Sequence, residues 1–240
     1  MSRNARHLAL PQIGRDGQRR IEAAQALLIG IGGIGCATAS FLAASGVGHL
    51  VLSDFDTVDE TNLGRQTLYG PGDVGEYKAA LAARRLGVIN PDIEITPLTE
   101  RLSGDALLAA VRDADIVLDA TDNFASRFQL NDACVAANRC LVSGAAIRLE
   151  GQIAEFGPDY SRSPCYRCLY TEADESLEDC AGNGVLGPVP GVIGSLMAVE
   201  ALKFLAGIEW QRGILRLYDA TSGEFRQVRI SKRGNCEACG

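Results

Sequence analysis

Residues 26–35 read ALLIGIGGIG, an apolar run that passes directly into a glycine-rich turn. Small residues at helical spacing follow over residues 36–44, and a second apolar run at residues 50–52 ends in Ser-Asp-Phe-Asp at 53–56. This order predicts a strand, a turn, a helix and a second strand that ends in an acid. A glycine turn between strand and helix lets the backbone approach a phosphate, and the helix N-terminus offers its unpaired N–H groups.

The acid at the end of the second strand indicates which kind of phosphate compound binds. Asp54 lies 19 positions beyond Gly35, where a carboxylate can accept hydrogen bonds from ribose hydroxyls. The glycines of the turn are Gly30, Gly32, Gly33 and Gly35. The stretch therefore predicts an adenine nucleotide, without deciding among NAD, FAD and ATP.

The polar residues that follow favour a triphosphate. A dinucleotide site satisfies its pyrophosphate largely with backbone N–H groups and needs few cations. Asn62, Arg65 and Lys78 are instead suited to hold a triphosphate and its leaving pyrophosphate. Asp56 and Asp59 are expected to shape or support this loop.

Asp122 is the residue that we predict to bind Mg²⁺. It lies in the run DATDN at residues 119–123, after a strongly apolar strand pattern. Magnesium is usually held by one or two carboxylates together with substrate phosphates. The alternative is that Asp122 only caps the helix that begins near Phe124, as Asp and Asn often do.

Composition limits the classes of function. The 240 residues are 47% apolar, enough for the core of one domain, and the net charge of −7 argues against nucleic-acid binding. No apolar stretch is expected to approach the ~20 residues of a membrane span, so no membrane association is predicted. Residues 1–20 are polar and arginine-rich, which favours a cytoplasmic location. With only His7 and His49, mechanisms that need a histidine base are disfavoured.

Apolar runs and helical patterns alternate through residues 26–145, which predicts a mainly parallel sheet with helices on both faces. Residues 146–240 contain alternating runs at 151–156, 215–218 and 225–230, which predict a smaller antiparallel portion. We therefore predict an α/β fold with a Rossmann-like, mainly parallel sheet and an antiparallel C-terminal portion.

Eight cysteines in a chain without an export signal indicate reduced thiols or metal ligands. The runs CYRC at 165–168 and CEAC at 236–239 can supply four thiolates to a tetrahedral zinc ion. The 67 residues between them exceed zinc-ribbon spacing, so a redox pair or two unrelated pairs of thiols remain open. Cys36, Cys134 and Cys140 fall in helix or strand patterns and are predicted to be core residues.

The glycine turn, Asp54-Phe55-Asp56, the run NLGRQ at 62–66 and Lys78 resemble the MoeB/ThiF/HesA family. These are ubiquitin-activating-enzyme-like adenylyltransferases that act on sulfur-carrier proteins. The resemblance extends from Arg6 to Cys239, and SGAAIR at 143–148 and CYRC are similar to the MoeB branch.

The resemblance implies an activity and its partners. ATP would adenylate the C-terminal Gly-Gly carboxylate of a ubiquitin-fold sulfur-carrier protein, with release of pyrophosphate. A separate sulfur donor, a cysteine desulfurase or a rhodanese-like protein, would then form the thiocarboxylate, in a molybdopterin, thiamine or related pathway. Residues 1–25 would be an N-terminal arm and helix, 26–145 the nucleotide-binding part, and 146–240 the carrier-binding, zinc-stapled part of the same domain.

The resemblance also implies roles for individual residues. Lys78 would hold the α-phosphate, Arg65 and Asn62 the β- and γ-phosphates, Asp54 the ribose and Asp122 the magnesium. The cofactor-binding set is Gly30, Gly32, Gly33, Gly35, Asp54, Asp56, Asn62, Arg65, Gln66, Lys78, Asp122 and Asn123. The ligands of a structural zinc would be Cys165, Cys168, Cys236 and Cys239.

Two further residues carry implied catalytic roles. Arg6, which could otherwise belong to a solvated tail, would reach into the nucleotide site of the partner in a homodimer. Cys180 lies in the acidic segment 171–190, which is predicted to be a mobile loop, at the position of a cysteine that bonds to the carrier in some family members. Other members do not need that cysteine, so both a catalytic and a non-catalytic Cys180 are open.

Two alternative functions use the same fold. One is an NAD-dependent oxidoreductase, although the sequence offers no clear acid or base for a hydride site. The other is a non-catalytic module, stabilised by a structural zinc ion, that binds a carrier without adenylating it. Comparing the binding of ATP with that of NADH distinguishes adenylation from the oxidoreductase alternative. Carrier-dependent pyrophosphate exchange distinguishes adenylation from the non-catalytic module.

Overall fold

A single eight-stranded sheet organises the molecule. The computed structural model describes residues 3–171 and 184–240, and the strand order is β3-β2-β1-β4-β5-β6-β7-β8. The strands are β1 (Gln25–Ile29), β2 (His49–Ser53), β3 (Glu94–Leu98), β4 (Ile116–Asp119), β5 (Cys140–Ile147), β6 (Glu150–Phe156), β7 (Ile214–Asp219) and β8 (Glu224–Arg229). The helices are α1 (Ala5–Leu8), α2 (Gly14–Ala23), α3 (Gly33–Ser45), α4 (Lys78–Ile89), α5 (Gly104–Asp113), α6 (Phe124–Ala137), α7 (Tyr166–Leu169) and α8 (Pro188–Ala206).

The sheet changes direction at β5. Strands β3, β2, β1, β4 and β5 pair in parallel, whereas β6, β7 and β8 continue the sheet in antiparallel order. The predicted α/β fold with a parallel core and antiparallel C-terminal strands is confirmed. Because β5 extends to Ile147, it crosses the predicted boundary between residues 26–145 and 146–240, and one continuous sheet joins the two parts.

Burial on both faces explains why the central parallel strands β1 and β4 are strongly apolar. Leu28 in β1 belongs to one core, with side chains from α3, α4 and α8, while Leu27 belongs to the other core, with side chains from α5 and α6. Adjacent strand residues point to opposite faces, so a strand that is covered by helices on both sides needs both positions apolar.

Two segments differ from the sequence prediction. The N-terminal arm and helix, predicted over residues 1–25, end at Ala23, and Gln25 already opens β1. Helix α8 begins at Pro188, inside the stretch 171–190 that was predicted to be loop. Proline suits the first turn of a helix, where its missing N–H has no partner to lose. Most of that predicted loop, Cys180 included, lies outside the described residues.

Helix α8 also corrects the expectation that no apolar stretch approaches the length of a membrane span. Among the described helices, this 19-residue helix is long and apolar enough in composition to cross a membrane. More than half of its apolar window is buried, however, and Ile193, Met197 and Ala201 are completely covered in the core beside the sheet. The core packing of α8 accounts for its apolar composition.

Candidate active site

The carboxyl ends of β1, β2 and β4 meet at one edge of the sheet. There, the Gly30 N–H donates to Ser53 O at 2.9 Å, and the Ala120 N–H donates to Ile29 O at 2.9 Å. Gly30 has φ +86°, and a Cβ at this position would lie 2.7 Å from Ala120 O. A Cβ on Gly35 would lie 2.0 Å from Gly30 O, so neither position accepts a side chain without displacement. The resulting tight turn leads into the N-terminus of α3, a geometry suited to a phosphate.

Asp54 fastens this turn to β2. The carboxylate is only 8% exposed; Oδ2 accepts from the Ile31 N–H at 2.6 Å and Oδ1 from the Asp56 N–H at 2.9 Å. Burial raises the pKa of Asp54, and the positive charge of Lys78 partly offsets that rise. The structure therefore adds a role in shaping the turn to the ribose-binding role predicted for Asp54.

Lys78 is the first residue of α4 and lies next to the same turn. Its Nζ donates to Asp56 Oδ2 at 3.1 Å, and its side chain is 8% exposed. The Tyr69 hydroxyl lies 2.9 Å from Ile31 O and 3.2 Å from Lys78 O, so it ties the start of α4 to the turn. Sequence reasoning missed Tyr69, because nothing in the local pattern shows that this tyrosine bridges two distant segments.

The loop after β2 positions Asn62, Arg65 and Gln66 differently. Asn62 Oδ1 accepts from the Asp59 N–H at 3.2 Å within a short 3₁₀ turn, which agrees with a loop-shaping Asp59. Arg65 is half-buried and its Nη1 donates to Thr61 O at 2.9 Å.

Gln66 is the unusual member of this loop. It is 3% exposed, and its Oε1 has no hydrogen-bond partner among the described residues. Buried polar atoms in proteins are nearly always paired. The unpaired oxygen therefore fits a donor supplied by a ligand.

Asp122 does not cap α6. The cap is Asn123, whose Oδ1 accepts from the Ser126 N–H at 2.9 Å, while Asp122 is exposed and receives one long contact from Asn123 Nδ2 at 3.4 Å. The capping alternative is therefore wrong for Asp122. Its carboxylate is available to a cation or a substrate at the edge of the sheet.

Asp119 and Arg127 hold the loop that carries Asp122. Asp119 is fully buried and accepts from Thr121 Oγ1 at 2.7 Å and from Ser143 Oγ at 3.1 Å; burial raises its pKa. Arg127 is 3% exposed and donates to Thr121 O at 2.7 Å. Sequence reasoning missed Arg127, because its position within α6 gives no sign that it turns back to the loop.

A cavity of about 410 Å³ runs from the glycine turn to the antiparallel strands. At one end it is lined by Gly32, Gly33, Arg65, Gln66 and Asp122. At the other end it is lined by Ile147, Glu150, Gln152, Tyr170, Leu217, Tyr218, Asp219, Glu224 and Arg226. Asp54, Asp56, Asn62, Asn123 and Lys78 do not line it; Asp54, Asp56 and Lys78 lie beside the glycine turn instead.

Arg6 lies away from the glycine turn of its own chain. Helix α1 packs on α2, and the Gln18 side chain of α2 donates to Ser45 O at the C-terminal end of α3. The glycine turn is at the other end of α3, whose 13 residues span about 20 Å at 1.5 Å per residue. Arg6 is exposed, and this placement does not bring it to its own nucleotide site.

The four predicted metal ligands come together. The sulfur atoms of Cys165, Cys168, Cys236 and Cys239 all lie within 4.8 Å of one another. Two of the separations, Cys165 to Cys236 and Cys168 to Cys239, are 3.6 Å, longer than the ~2 Å of a disulfide. Four thiolates around zinc at about 2.3 Å have sulfur atoms about 3.8 Å apart, so the cluster fits such an ion.

Backbone and side-chain donors surround these sulfur atoms. Lys232 Nζ lies 3.3 Å from Cys239 Sγ, and the Arg233 N–H donates to Cys168 Sγ at 3.5 Å. Burial opposes ionisation of Cys236, but hydrogen bonds from the N–H groups of Cys239 and Ala238 and from the Cys165 and Cys168 thiols lower the pKa of Cys236 to about 7. Burial raises the pKa of Cys165 and of Cys239. A bound cation would favour ionisation of those thiols, since cysteine binds a metal as the thiolate.

The fold and site thus define a Rossmann-like nucleotide-binding protein with a four-cysteine cluster. Residues 4–238 match the model of the ThiF family, and the chain belongs to that family. The resemblance identified from the sequence motifs is confirmed.

Curated relatives are similar over nearly the whole chain. The sulfur carrier protein ThiS adenylyltransferase of Escherichia coli K12 is 43% identical over 99% of this chain and 94% of its own. The molybdopterin-synthase adenylyltransferase of the same organism is 45% identical over 100% of this chain and 96% of its own. The pig adenylyltransferase and sulfurtransferase MOCS3 is 43% identical over 99% of this chain, which spans 53% of that protein.

Solved structures agree with the fold. E. coli MccB crystallised with AMPCPP and SeMet MccA superposes with a TM-score of 0.83, covering 100% of this chain and 74% of that one at 22% identity. MccB with ATP gives a TM-score of 0.80 over 94% of this chain and 68% of that one, also at 22% identity. At this identity the likeness concerns the fold alone.

Proposed function

We propose that this protein uses ATP to adenylate the C-terminal Gly-Gly carboxylate of a ubiquitin-fold sulfur-carrier protein. The observation that carries this proposal is the cavity that joins the glycine turn to β6, β7 and β8. A nucleotide at the turn and a peptide end that enters along the antiparallel strands would meet inside it. Relatives named for the adenylation of sulfur carriers support the same activity.

The shape of the cavity suits a peptide that ends in two glycines. Between the turn and the strands its walls are formed by Ala145, Ala146 and Ile147, with Leu217 and Tyr218 farther along. A chain end without side chains can pass such a lining and bring its carboxylate to the nucleotide.

The reaction is a displacement at the α-phosphorus of ATP. A carboxylate oxygen of the carrier forms a new P–O bond, the bond from the α-phosphorus to the bridging oxygen breaks, and pyrophosphate leaves with that electron pair. The products are an acyl-adenylate and pyrophosphate. Since no proton has to be removed from a carboxylate, positioning and neutralisation of charge supply most of the rate.

Cationic side chains near the turn would neutralise the phosphates. Lys78 would hold the α-phosphate and Arg65, with Asn62, the β- and γ-phosphates, while Asp54 would meet the ribose. Gln66, with its unpaired buried oxygen beside the turn, would accept a hydrogen bond from the bound substrates. Asp122, an exposed carboxylate at the cavity, is suited to hold Mg²⁺, which would add positive charge beside the leaving pyrophosphate.

The cysteine cluster is proposed to hold structural zinc away from the chemistry. It would connect the segment around α7 to the last residues of the chain. The sulfur that follows adenylation would come from a separate donor, a cysteine desulfurase or a rhodanese-like protein. Adenylation itself needs no thiol, so Cys180 is assigned at most to the later sulfur step.

A homodimer is proposed from an exposed apolar face on α3 and α8, two helices packed against each other. Phe41 of α3 is 52% exposed and Val199 of α8 is 50% exposed, on two helices whose residues are mostly apolar. A second copy would cover this face by two-fold symmetry. It would also allow Arg6 to reach the partner's site, since it does not reach its own.

Carrier-dependent exchange of labelled pyrophosphate into ATP tests the activity. Exchange is expected with a ubiquitin-fold carrier of the thiamine or molybdopterin route, and none with the same carrier after removal of its last two glycines. Binding of NADH in place of ATP would favour the oxidoreductase alternative. Binding of ATP and carrier without exchange with any such carrier would favour the non-catalytic module.

A further inference from the structure

Lys232 reaches the four-cysteine cluster from the C-terminal segment after β8. Its Nζ donates to Cys239 Sγ at 3.3 Å and to Tyr160 O at 2.9 Å, and it also donates to Cys239 O. These three acceptors match the three N–H donors of an ammonium group. The half-buried side chain therefore holds its positive charge against the sulfur of a proposed metal ligand.

The charge of the loaded cluster gives this contact its importance. A zinc ion bound by four thiolates leaves two of the four negative charges uncompensated. Cys165, Cys168 and Cys236 are buried, and buried charge costs free energy unless an opposite charge or hydrogen-bond donors compensate it. The Arg233 N–H at Cys168 Sγ supplies part of this compensation, but it carries no full charge.

A second cation beside the cluster, Arg167, is already matched by acids. Its Nε and Nη2 donate to the two carboxylate oxygens of Asp132, both at 2.8 Å, and its Nη1 lies 3.8 Å from Glu237 Oε2. Lys232 differs, because its hydrogen-bond partners among the described residues are two carbonyl oxygens and one sulfur atom. The charge of Lys232 is therefore the one that remains for the thiolates.

We propose that the Lys232 ammonium group compensates part of the negative charge of the loaded cluster and thereby strengthens the binding of zinc. The inference rests on the proposed structural zinc and adds a residue that the cysteine motifs do not include. A hydrogen bond to a charged acceptor is stronger than one to a neutral acceptor, so the contact with Cys239 Sγ gains strength when the metal is bound. A simple clamp between the carbonyls of Tyr160 and Cys239 would instead stabilise the protein equally with and without metal.

Competition of the full chain with a chromogenic zinc chelator tests the proposal. Lys232→Met keeps most of the length of the side chain and removes its charge, and Lys232→Gln keeps an N–H donor without the charge. Each should lower the affinity for zinc by about 10–100-fold, the usual effect of changing a group that supports metal ligands. Lys232→Arg keeps the charge and should retain most of the affinity. Arg229→Gln, which removes an exposed cation from β8, is the matched control and should bind zinc normally.

Thermal unfolding separates charge compensation from a simple clamp. Lys232→Met should lower the Tm of the zinc-loaded protein more than that of the zinc-depleted protein, because a weaker metal site stabilises the folded state less. Equal shifts in Tm, unchanged zinc affinity in Lys232→Met and Lys232→Gln, or equal losses in Lys232→Arg would each overturn the role of Lys232. An original protein that binds no zinc would overturn the zinc site itself. Pyrophosphate exchange is measured separately, so adenylation stands or falls independently of these results.

Discussion

Asp119 and Asp122 lie three positions apart, but one is buried and the other is exposed, so their roles differ. Asp119 is fully buried and uses its oxygens on Thr121 and Ser143, so it shapes the loop. Asp122 is exposed at the cavity, and the neighbouring Asn123 takes over the capping of α6. Asp122 makes one long contact, with Asn123, so its carboxylate is the one that we expect to bind substrate or metal.

Asp122→Asn and Arg65→Ala should each lower carrier-dependent pyrophosphate exchange by ~10²–10³, the usual loss when a group that stabilises developing charge is removed. Asparagine preserves the size of Asp122 but not its charge, so the effect should come from charge alone. Glu60→Gln, an exposed acid on the loop of Arg65, is the matched control and should exchange normally. Near-full exchange in either site variant would show that its assigned role is wrong.

Glu155 gives a residue-scale prediction about pH. It is completely buried on β6, its Oε1 pairs with Arg216, and its Oε2 has no hydrogen-bond partner among the described residues. Burial raises its pKa to about 7, although the charge of Arg216 opposes the rise. The folded state therefore holds this proton more tightly than the unfolded chain, where the pKa is near the model-peptide value of about 4.3.

The sign of the effect follows from this difference. The contribution of the protonated Glu155 to stability is fully present below the unfolded pKa and is lost as the pH rises through about 7. Each pKa unit corresponds to about 1.4 kcal/mol. Glu155→Gln cannot ionise, so its Tm should fall less than that of the original protein between pH 5 and pH 8. Parallel Tm curves for the two proteins would contradict the assignment.

At the scale of elements, the four-cysteine cluster brings together two segments that are far apart in sequence. Cys165 and Cys168 flank the short helix α7, whereas Cys236 and Cys239 lie in the C-terminal segment after β8. A metal bound to all four sulfur atoms would hold that segment against the core that contains Tyr160 and Tyr166. A metal bound there contributes directly to the free energy of folding.

Cys239→Ala should therefore reduce the bound zinc from one ion per chain to a small fraction and lower the Tm. Elemental analysis measures the metal, and thermal unfolding measures the loss of stability. Binding of ATP should remain, because the cluster lies away from the glycine turn. Cys134→Ala removes a buried thiol outside the cluster and should keep its zinc. A metal-free original protein of full stability would refute the structural role.

Elements with strong local patterns were predictable, and those decided by distant contacts were not. The run ALLIGIGGIG specified β1, the turn and the start of α3, because strand burial and glycine geometry are local properties. The early start of α8 was not predicted, because the preceding residues are polar and glycine-rich. Tyr69 and Arg127 were missed as well, since their importance lies in contacts that the fold creates across the chain.

At the scale of the whole molecule, the position of the N-terminal arm bears on assembly. Helix α1 packs near the end of α3 that is opposite the glycine turn, about 20 Å away, so Arg6 lies far from the site of its own chain. In the proposed homodimer, the exposed Phe41 on α3 and Val199 on α8 would offer apolar contacts to the second copy. Two-fold symmetry would place each Arg6 in an equivalent position toward the other chain.

Mixing two inactive variants tests this arrangement. Arg6→Ala and Asp122→Ala should each be inactive as homodimers, because every site lacks one group. A mixed dimer would contain one site with both defects and one intact site, built from Asp122 of one chain and Arg6 of the other. Random reassortment of equal amounts makes about half of the dimers mixed, so about a quarter of the original exchange activity should return.

The matched control is a mixture of Asp122→Ala with Arg65→Ala. Both of those residues line the cavity of their own chain, so every site in a mixed dimer keeps one defect and no activity should return. Size-exclusion chromatography with light scattering confirms that dimers form and that subunits exchange before the assay. If the mixture of Arg6→Ala and Asp122→Ala also stays inactive although its subunits have exchanged, Arg6 does not complete the partner's site.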